Sequence, residues 1–105
     1  MNCSRNDVVL LSIPFSDLSS TKVRPAIVIG QGSNGGDLFL VPITSRLKYS
    51  DFPLTGWQSC GVNIPSAVKG QLATVESQLV RKIIGRLSAE DIKTLDTKLR
   101  EWLEL

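Results

Sequence analysis

The chain has 105 residues, of which 42% are hydrophobic and 21% charged, and its formal net charge is +2. This length suits one domain with a small core, and no apolar run approaches the roughly 20 residues that span a bilayer. The chain lacks histidine and has only two cysteines, Cys3 and Cys60, which argues against histidine-based catalysis, a disulfide scaffold and most zinc sites. We expect free thiols. Because the first seven residues lack the apolar stretch of a signal peptide, we also expect a cytoplasmic protein.

The first half of the chain predicts three strands. Residues 7–13 form a β-rich apolar run that stops at a proline. A polar loop over residues 15–22 leads to a second strand over residues 24–29. A glycine-rich hairpin turn over residues 31–36 then leads to a third strand, Asp37–Thr44.

The second half predicts shorter strands after a polar loop over residues 45–53. The strand signals lie at residues 54–57, 61–64, 67–75 and 81–87, with a helical turn at 76–80. Many short strands with Gly/Pro turns are typical of a small, strongly curved antiparallel barrel.

The end of the chain predicts a helix over residues 89–104. Ser88 is a good N-cap, and Asp91 falls three residues later, at N3. Apolar side chains recur at helical spacing and are expected to cover an open end or face of the sheet: Ile92, Leu95, Leu99, Trp102 and Leu103. The whole chain, 1–105, is therefore expected to be one domain, with a barrel over about 1–87 and a helix over about 89–104.

Charge is unevenly distributed along the chain. Residues 1–87 carry nine bases and five acids, whereas residues 88–105 carry three bases and five acids. A mildly basic body permits nucleic-acid binding without requiring it.

Two predicted strand ends carry the chemically informative side chains. Arg24 stands at the start of the second strand, and the proline after it restricts its backbone to extended geometry. Thr44 and Ser45 stand at the end of the third strand. A fold that brings these ends together suits a phosphodiester, because arginine offers a rigid donor fork to phosphate oxygens. Taken alone, an arginine before a proline is usually a solvated strand end, and a Thr-Ser pair after a strand is usually a turn or a cap.

Five segments occur in a specific order that spans nearly the whole chain. They are Asp7-Val8-Val9, Lys22-x-Arg24-Pro25-Ala26-Ile27-Val28-Ile29, Val41-Pro42-Ile43-Thr44-Ser45, Pro65-Ser66 and Ile84-Gly85-Arg86-Leu87-Ser88. Each is weak alone, but together they resemble the MazF/PemK (Kid-type) toxins of bacterial type II toxin–antitoxin systems.

The resemblance implies a mainly β fold, an SH3-like antiparallel β-barrel of the MazF/Kid/CcdB type with a C-terminal helix. It implies a homodimer that cleaves single-stranded RNA sequence-selectively, as an mRNA interferase, with no metal and no other cofactor. It also implies a cognate antitoxin protein, which inhibits the toxin through a flexible segment laid across the RNA groove. Contact with DNA would then come only indirectly, through the antitoxin, and no membrane would be involved.

The resemblance also assigns site residues. Arg24 falls on the family's catalytic arginine and Thr44 on the hydroxyl residue that assists it, and Ser45 follows in the same motif. We expect six residues to contact RNA: Lys22, Ser45, Arg46, Lys48, Lys69 and Gln71.

The chain departs from the family pattern at two places. The usual opening Gly-Asp is Asn6-Asp7 here. Gly70 stands where many members have an acid before the glutamine, and no arginine follows shortly after it. A mechanism that uses that carboxylate as a base is therefore not available, and Lys69 would supply positive charge instead.

The implied reaction is attack of the RNA 2′-OH on the adjacent phosphate, giving 2′,3′-cyclic phosphate and 5′-OH ends. Tyr49, Phe52 and Trp57 would either stack on bases or fill the barrel or a dimer contact. Two other functions remain open: a CcdB-like DNA gyrase poison, with the helix end Trp102–Leu105 as a binding tip, and an inactive relative that only binds RNA or protein.

Overall fold

The computed structural model describes residues 2–14 and 21–105 of the chain, so most of the predicted first loop lies outside the described residues. The elements are β1 (Asp7–Pro14), β2 (Thr21–Gln31), β3 (Asp37–Thr44), β4 (Phe52–Pro53), β5 (Ala67–Val68), β6 (Ala73–Glu76), β7 (Val80–Arg86) and α1 (Ala89–Leu103). Three short 3₁₀ helices lie between them, at Leu47–Tyr49, Trp57–Cys60 and Ser77–Leu79.

The strands form an antiparallel sheet in the order β4-β5-β3-β2-β1-β7, with β6 also paired to β3. The predicted mainly β fold with a C-terminal helix is confirmed. Closure into a barrel is not, because the strand ladders of the described residues form an open path rather than a ring. The 3₁₀ helix Trp57–Cys60 packs against β7, and a Cβ at Gly85 would lie only 2.5 Å from the backbone of Cys60.

Alternation along the three long strands builds two apolar clusters, one on each face of the sheet. The helix-side cluster consists of Val8, Ile27, Val41, Ile43, Phe52, Leu54, Cys60, Val68, Leu87, Leu95 and Leu99. The cluster on the other face is called the groove-side cluster, after the groove described in the next subsection, and consists of Cys3, Val9, Leu11, Ala26, Val28, Leu38, Leu40 and Val80. Every long strand therefore contributes to both clusters, which accounts for their nearly continuous apolar sequences.

The terminal helix covers the first face as predicted. The Ser88 hydroxyl accepts a hydrogen bond from the Asp91 amide at 3.2 Å, which confirms the N-cap. Leu95 and Leu99 are buried. The prediction is wrong for Leu103, which is 48% exposed, because the cluster extends along the helix only as far as Trp102. Among the described residues, no helix is long and apolar enough to cross a membrane.

The short strands were the least accurately predicted elements. Residues 54–57 and 61–64 are not strands: the chain forms β4 earlier, then the 3₁₀ helix Trp57–Cys60. Gly61 ends that helix at φ 82°, and a Cβ there would lie 2.1 Å from the carbonyl oxygen of Ile84. Residues 67–75 are broken into β5 and β6. By contrast, β3, β7 and the turn at Ser77–Leu79 confirm the predictions within one residue.

Candidate functional site

Arg24 lies inside β2 rather than at its start, opposite Leu11 of β1. The predicted loop ended too late, because Lys22 already belongs to the strand. The β2–β3 ladder ends at the pair Ala26–Pro42. Proline has no backbone N–H to donate, which limits the ladder at this point. The segment around Arg24 is thus paired to β1, and its exposed guanidinium lies where β2 and β3 part.

Thr44 is the last residue of β3, as predicted. Strand alternation places it on the same face as Leu40 of the groove-side cluster, as it places Arg24 on the face of Ala26. The Thr44 hydroxyl accepts a hydrogen bond from the Arg46 amide at 3.0 Å. A hydroxyl that accepts in this way keeps its proton for donation to a ligand oxygen.

A groove of about 1350 Å³ opens beside Arg24 and Thr44, and its lining includes residues of both clusters, such as Leu40 and Ile43. Its lining includes six of the predicted site residues: Arg24, Thr44, Ser45, Arg46, Lys69 and Gln71. It does not include Lys22 or Lys48, so the structure places these two predicted RNA contacts outside the groove wall. It does include Lys82, which sequence reasoning missed.

The charges that line the groove all have one sign. Arg24, Arg46, Lys69 and Lys82 contribute four cations, and no Asp or Glu is among the described lining residues. None of these four side chains is joined by a hydrogen bond or ion pair to another described residue. The ion pairs of the described chain lie elsewhere, between Arg5 and Asp96, Arg86 and Asp7, and Lys98 and Glu101. Uncompensated cations in a cleft attract anionic ligands.

Backbone hydrogen bonds hold the far wall of the groove. The Lys69 amide donates to the carbonyl of Pro42 at 3.1 Å, and the Gln71 amide donates to the carbonyl of Lys69 at 2.8 Å. The buried Ser66 hydroxyl donates to the carbonyl of Ile64 at 2.9 Å. These bonds bring Lys69 and Gln71 to the end of β3 that carries Thr44.

A family model described as PemK-like, MazF-like toxin of type II toxin–antitoxin system matches residues 4–103. The chain belongs to this toxin family. A search of curated proteins gave no match to the chain.

The toxin's departure from the family pattern at Gly70 has a structural reason. A Cβ at this position would lie 2.8 Å from the Trp102 ring and 3.0 Å from the Asp51 carboxylate. The Gly70 amide donates to Asp51 at 2.5 Å. This position therefore faces the helix, and its two sequence neighbours face the groove. An acid here would require Trp102 to move.

The departure at Asn6 is explained by the backbone. Asn6 adopts φ 76°, in the left-handed region that glycine enters freely and asparagine tolerates better than most residues. Its amide donates to the carbonyl of Val28, and its own carbonyl accepts from the Leu87 amide. Asparagine thus preserves the turn that opens β1, although its buried side-chain oxygen has no partner among the described residues.

The aromatic residues divide between the core and the surface. Phe52 is buried in the helix-side cluster and Trp57 packs against it. Tyr49 is 64% exposed, with the Lys48 ammonium 6.0 Å from its ring centre. None of the three lines the groove.

Both cysteines are free and buried, which confirms the predicted thiols. Burial, with Asp91 nearby, raises the pKa of Cys60 to about 11, against an opposing hydrogen bond from Ser59. Burial, with Asp7 nearby, also raises the pKa of Cys3. Neither thiol is therefore suited to act as a nucleophile at neutral pH. Within residues 2–14 and 21–105, no three His, Cys, Asp or Glu side chains converge as metal ligands would.

Proposed function

We propose that this toxin is a sequence-selective, metal-independent endoribonuclease that cleaves single-stranded RNA in the cationic groove. The observation that carries the proposal is the convergence of Arg24 and Thr44 from two strands into one groove whose described lining contains no acidic residue. Membership of the PemK/MazF toxin family supports the same activity.

The reaction proposed is transesterification within the RNA. The 2′-oxygen forms a bond to the adjacent phosphorus, the bond from phosphorus to the 5′-oxygen breaks, and the products are a 2′,3′-cyclic phosphate and a 5′-OH end. Arg24 stabilises the negative charge on the phosphoryl oxygens and donates a proton to the departing 5′-oxygen. Thr44 donates a hydrogen bond from its hydroxyl to a phosphoryl oxygen and keeps its proton. The 2′-OH proton passes to solvent, and solvent returns a proton to Arg24.

The groove supports a polyanionic substrate for a second reason. The lining also includes Ser45, Asn63 and Gln71, whose side chains can hydrogen-bond to bases. Sequence-selective recognition of RNA requires unstacked bases whose edges are accessible. A groove that is open to solvent and lined by such groups fits a single strand.

Three further properties belong to the proposal. The toxin is a homodimer with two-fold symmetry, the expected closed arrangement for two identical chains. It acts in the cytoplasm, where mRNA is present. Its antitoxin inhibits it by covering the groove. Family membership itself implies an antitoxin partner.

The gyrase-poison alternative depends on the end of α1. Trp102 is only partly exposed and packs on the helix-side cluster, whereas Leu103 and Leu105 are 48% and 80% exposed. The largest side chain of the suggested tip is therefore engaged within the toxin itself. This favours a structural role for the helix end.

The test is incubation of the purified toxin with a long single-stranded RNA in excess EDTA, followed by analysis of the fragment ends. We expect discrete fragments with 5′-OH ends from the parent. Arg24→Ala should cut more slowly by roughly 10²–10³-fold, the scale of losing one preorganised donor. Thr44→Ala should lose less, because a neutral hydroxyl contributes less than a charged donor.

The matched control is Arg100→Ala, an exposed arginine of α1 outside the groove. It should cut at the parent rate. Equal cleavage by Arg24→Ala and the parent would show that the site is elsewhere. Absence of cleavage across several varied RNAs would refute the ribonuclease, and a gyrase supercoiling assay would then test the poison.

A further inference from the structure

One wall of the groove is a short segment between β5 and β6, residues 69–72, that belongs to neither strand. Lys69 and Gln71 line the groove from this segment, and both residues are exposed. Because the segment lies outside the strand ladders, its position depends on the few hydrogen bonds that its own amides make.

Three consecutive amides of this wall have partners, and only the middle one is held by a side chain. The Lys69 amide donates to the Pro42 carbonyl at 3.1 Å. The Gln71 amide donates to the Lys69 carbonyl at 2.8 Å, a bond that stays within the segment and does not attach it to the rest of the toxin. The Gly70 amide donates to the Asp51 carboxylate at 2.5 Å. Asp51 therefore ties the middle of the wall to the body of the toxin.

The backbone of Asp51 is anchored, although the residue is exposed. Its amide donates to the Val68 carbonyl at 2.9 Å. The next residue, Phe52, pairs with Val68 across the β4–β5 ladder and is buried. Glycine at position 70 permits the close approach, because a Cβ there would lie 3.0 Å from the Asp51 carboxylate. An ionised acceptor also makes a stronger hydrogen bond with an amide than a neutral acceptor does.

We infer that Asp51 is a positioning residue for RNA binding, which holds Lys69 and Gln71 at the groove wall by accepting the hydrogen bond of the Gly70 amide. The inference rests on the proposed function. Asp51 is not among the residues that line the groove. It therefore acts through Gly70 and not by contact with the RNA.

The charge of Asp51 separates this role from a general electrostatic effect. An acid near a cationic groove weakens the attraction for a polyanion, so removal of the charge alone should strengthen RNA binding or leave it unchanged. If the carboxylate holds the wall, removal of the acceptor should weaken binding. The two effects have opposite signs.

The experiment compares Asp51→Ala with Asp51→Asn and with Asp96→Ala. Asparagine removes the charge but keeps an oxygen that can accept from the Gly70 amide. Asp96→Ala removes the same charge from α1, outside the groove, and loses only an exposed ion pair with Arg5. The probe is a fluorescent single-stranded RNA of random sequence with 2′-O-methyl groups, which block attack by the 2′-oxygen, and binding is measured by anisotropy. The kcat/KM for an unmodified long RNA is measured under the same conditions.

Two measurements without RNA accompany the binding assay. Hydrogen exchange of the Gly70 amide, followed by NMR, reports the hydrogen bond to Asp51 directly. Urea unfolding reports whether each variant is folded.

We expect the Gly70 amide to exchange faster in Asp51→Ala by roughly tenfold, the scale of one hydrogen bond to a charged group. The same variant should bind the probe more weakly, or have a lower kcat/KM, by roughly three- to tenfold. This is less than the ~10²-fold that misplacement of a reacting group can cost, because Lys69 and Gln71 bind the RNA and do not react with it. Asp51→Asn and Asp96→Ala should bind at least as tightly as the parent.

Three outcomes would overturn the inference while the proposed function still stands, provided that the parent binds or cleaves RNA. One is an unchanged exchange rate at Gly70 in Asp51→Ala. Another is faster exchange at Gly70 with RNA binding and cleavage equal to those of Asp96→Ala. The third is equal weakening in Asp51→Asn and Asp51→Ala, because the acceptor would then not matter. If the parent neither binds the probe nor cleaves RNA, both proposals are wrong.

Discussion

Replacement of Asp91 by asparagine should destabilise the fold far more than its position on a surface helix suggests. The Asp91 carboxylate is only 1% exposed. One of its oxygens accepts from the Thr55 amide at 2.9 Å and the Thr55 hydroxyl at 3.0 Å, and the other accepts from the Gly56 amide at 2.9 Å and the Ser88 hydroxyl at 3.0 Å. Asparagine preserves the shape but replaces the second oxygen with a donor.

The expected loss of stability follows from the hydrogen bonds that the second carboxylate oxygen of Asp91 accepts and the asparagine amide cannot. The Ser88 hydroxyl can rotate away, but the Gly56 amide is left facing another donor. Loss of a hydrogen bond to a charged group costs about 1.5–3 kcal/mol, and an unsatisfied buried donor adds about 1–3 kcal/mol. Allowing for partial relaxation, we expect the free energy of unfolding to fall by about 2–4 kcal/mol. For a domain of this size that corresponds to a Tm lower by about 10–20 °C.

The substitution also affects the site indirectly. Gly56 is the N-cap of the 3₁₀ helix Trp57–Cys60, and the chain then continues into residues 61–64, which line the groove. Asp91 thus ties this wall of the groove to the first turn of α1. Partial loss of the wall should lower RNA cleavage even under conditions in which the variant is folded.

The effect should depend on pH in a defined direction. Burial alone would raise the pKa of Asp91, but hydrogen bonds from Thr55, Gly56 and Ser88 outweigh it and lower the pKa. A carboxylate with a lowered pKa stabilises the fold fully above its unfolded pKa, about 3.9, and this contribution is lost as the pH falls through the folded value. The stability difference between parent and Asp91→Asn should therefore be constant above about pH 5 and should narrow below about pH 4.

The assay is urea unfolding of the parent and of Asp91→Asn at pH 7 and pH 3, monitored by circular dichroism. Asp96→Asn is the matched control, because Asp96 lies on the same helix but makes only an exposed ion pair with Arg5. Such pairs contribute about 0–1 kcal/mol. A difference for Asp91→Asn no larger than that for Asp96→Asn, or one that widens on acidification, would contradict the reasoning.

Two further predictions concern backbone positions and are checked by the same unfolding assay. Gly61→Ala should lower the free energy of unfolding by more than about 3 kcal/mol, because φ is positive and the new Cβ would overlap the Ile84 carbonyl. Gly35→Ala is the control: Gly35 has φ 71° but open space around it, so the substitution should cost only about 1–2 kcal/mol. Equal costs for the two variants would refute the steric argument. Asn6→Ala should cost about 1–2 kcal/mol for the same left-handed backbone, whereas Asn6→Gly should not destabilise, since it removes both the strain and the unpartnered oxygen. A loss of stability in Asn6→Gly would show that the asparagine side chain has a stabilising contact.

Local sequence signals predicted the long elements well because each carries its own signal. The third strand is a nearly continuous apolar run and the helix has a clear apolar period. Both have clear beginnings, with Gly35 and Gly36 before the strand and Ser88 before the helix. The region between residues 54 and 75 was mispredicted because its apolar residues are too few to show a period. There the outcome depends on long-range contacts, such as the Gly61 backbone against Ile84, which no local pattern contains.

The candidate site was predictable only in part, for a related reason. Arg24 and Thr44 were found through a family pattern, and the structure brings both to one groove. Lys22 and Lys48 were included because they lie near these residues in the chain, but proximity in sequence does not decide which face or edge a side chain occupies. Lys82 was missed because its place in the groove depends on the pairing of β7 with β1, across more than 70 residues.

The same topology explains how a chain with a net charge of only +2 presents a strongly cationic groove. What matters is which cations have carboxylate partners. Arg5 and Arg86 are matched by Asp96 and Asp7 on the surface, whereas the four cations of the groove come from β2, β7 and two loops without an acid beside them in the described lining. Because exposed pairs contribute little to stability, this arrangement costs the fold little. It leaves the positive potential concentrated where β2 and β3 part, and that position, rather than the total charge, determines where a polyanion binds.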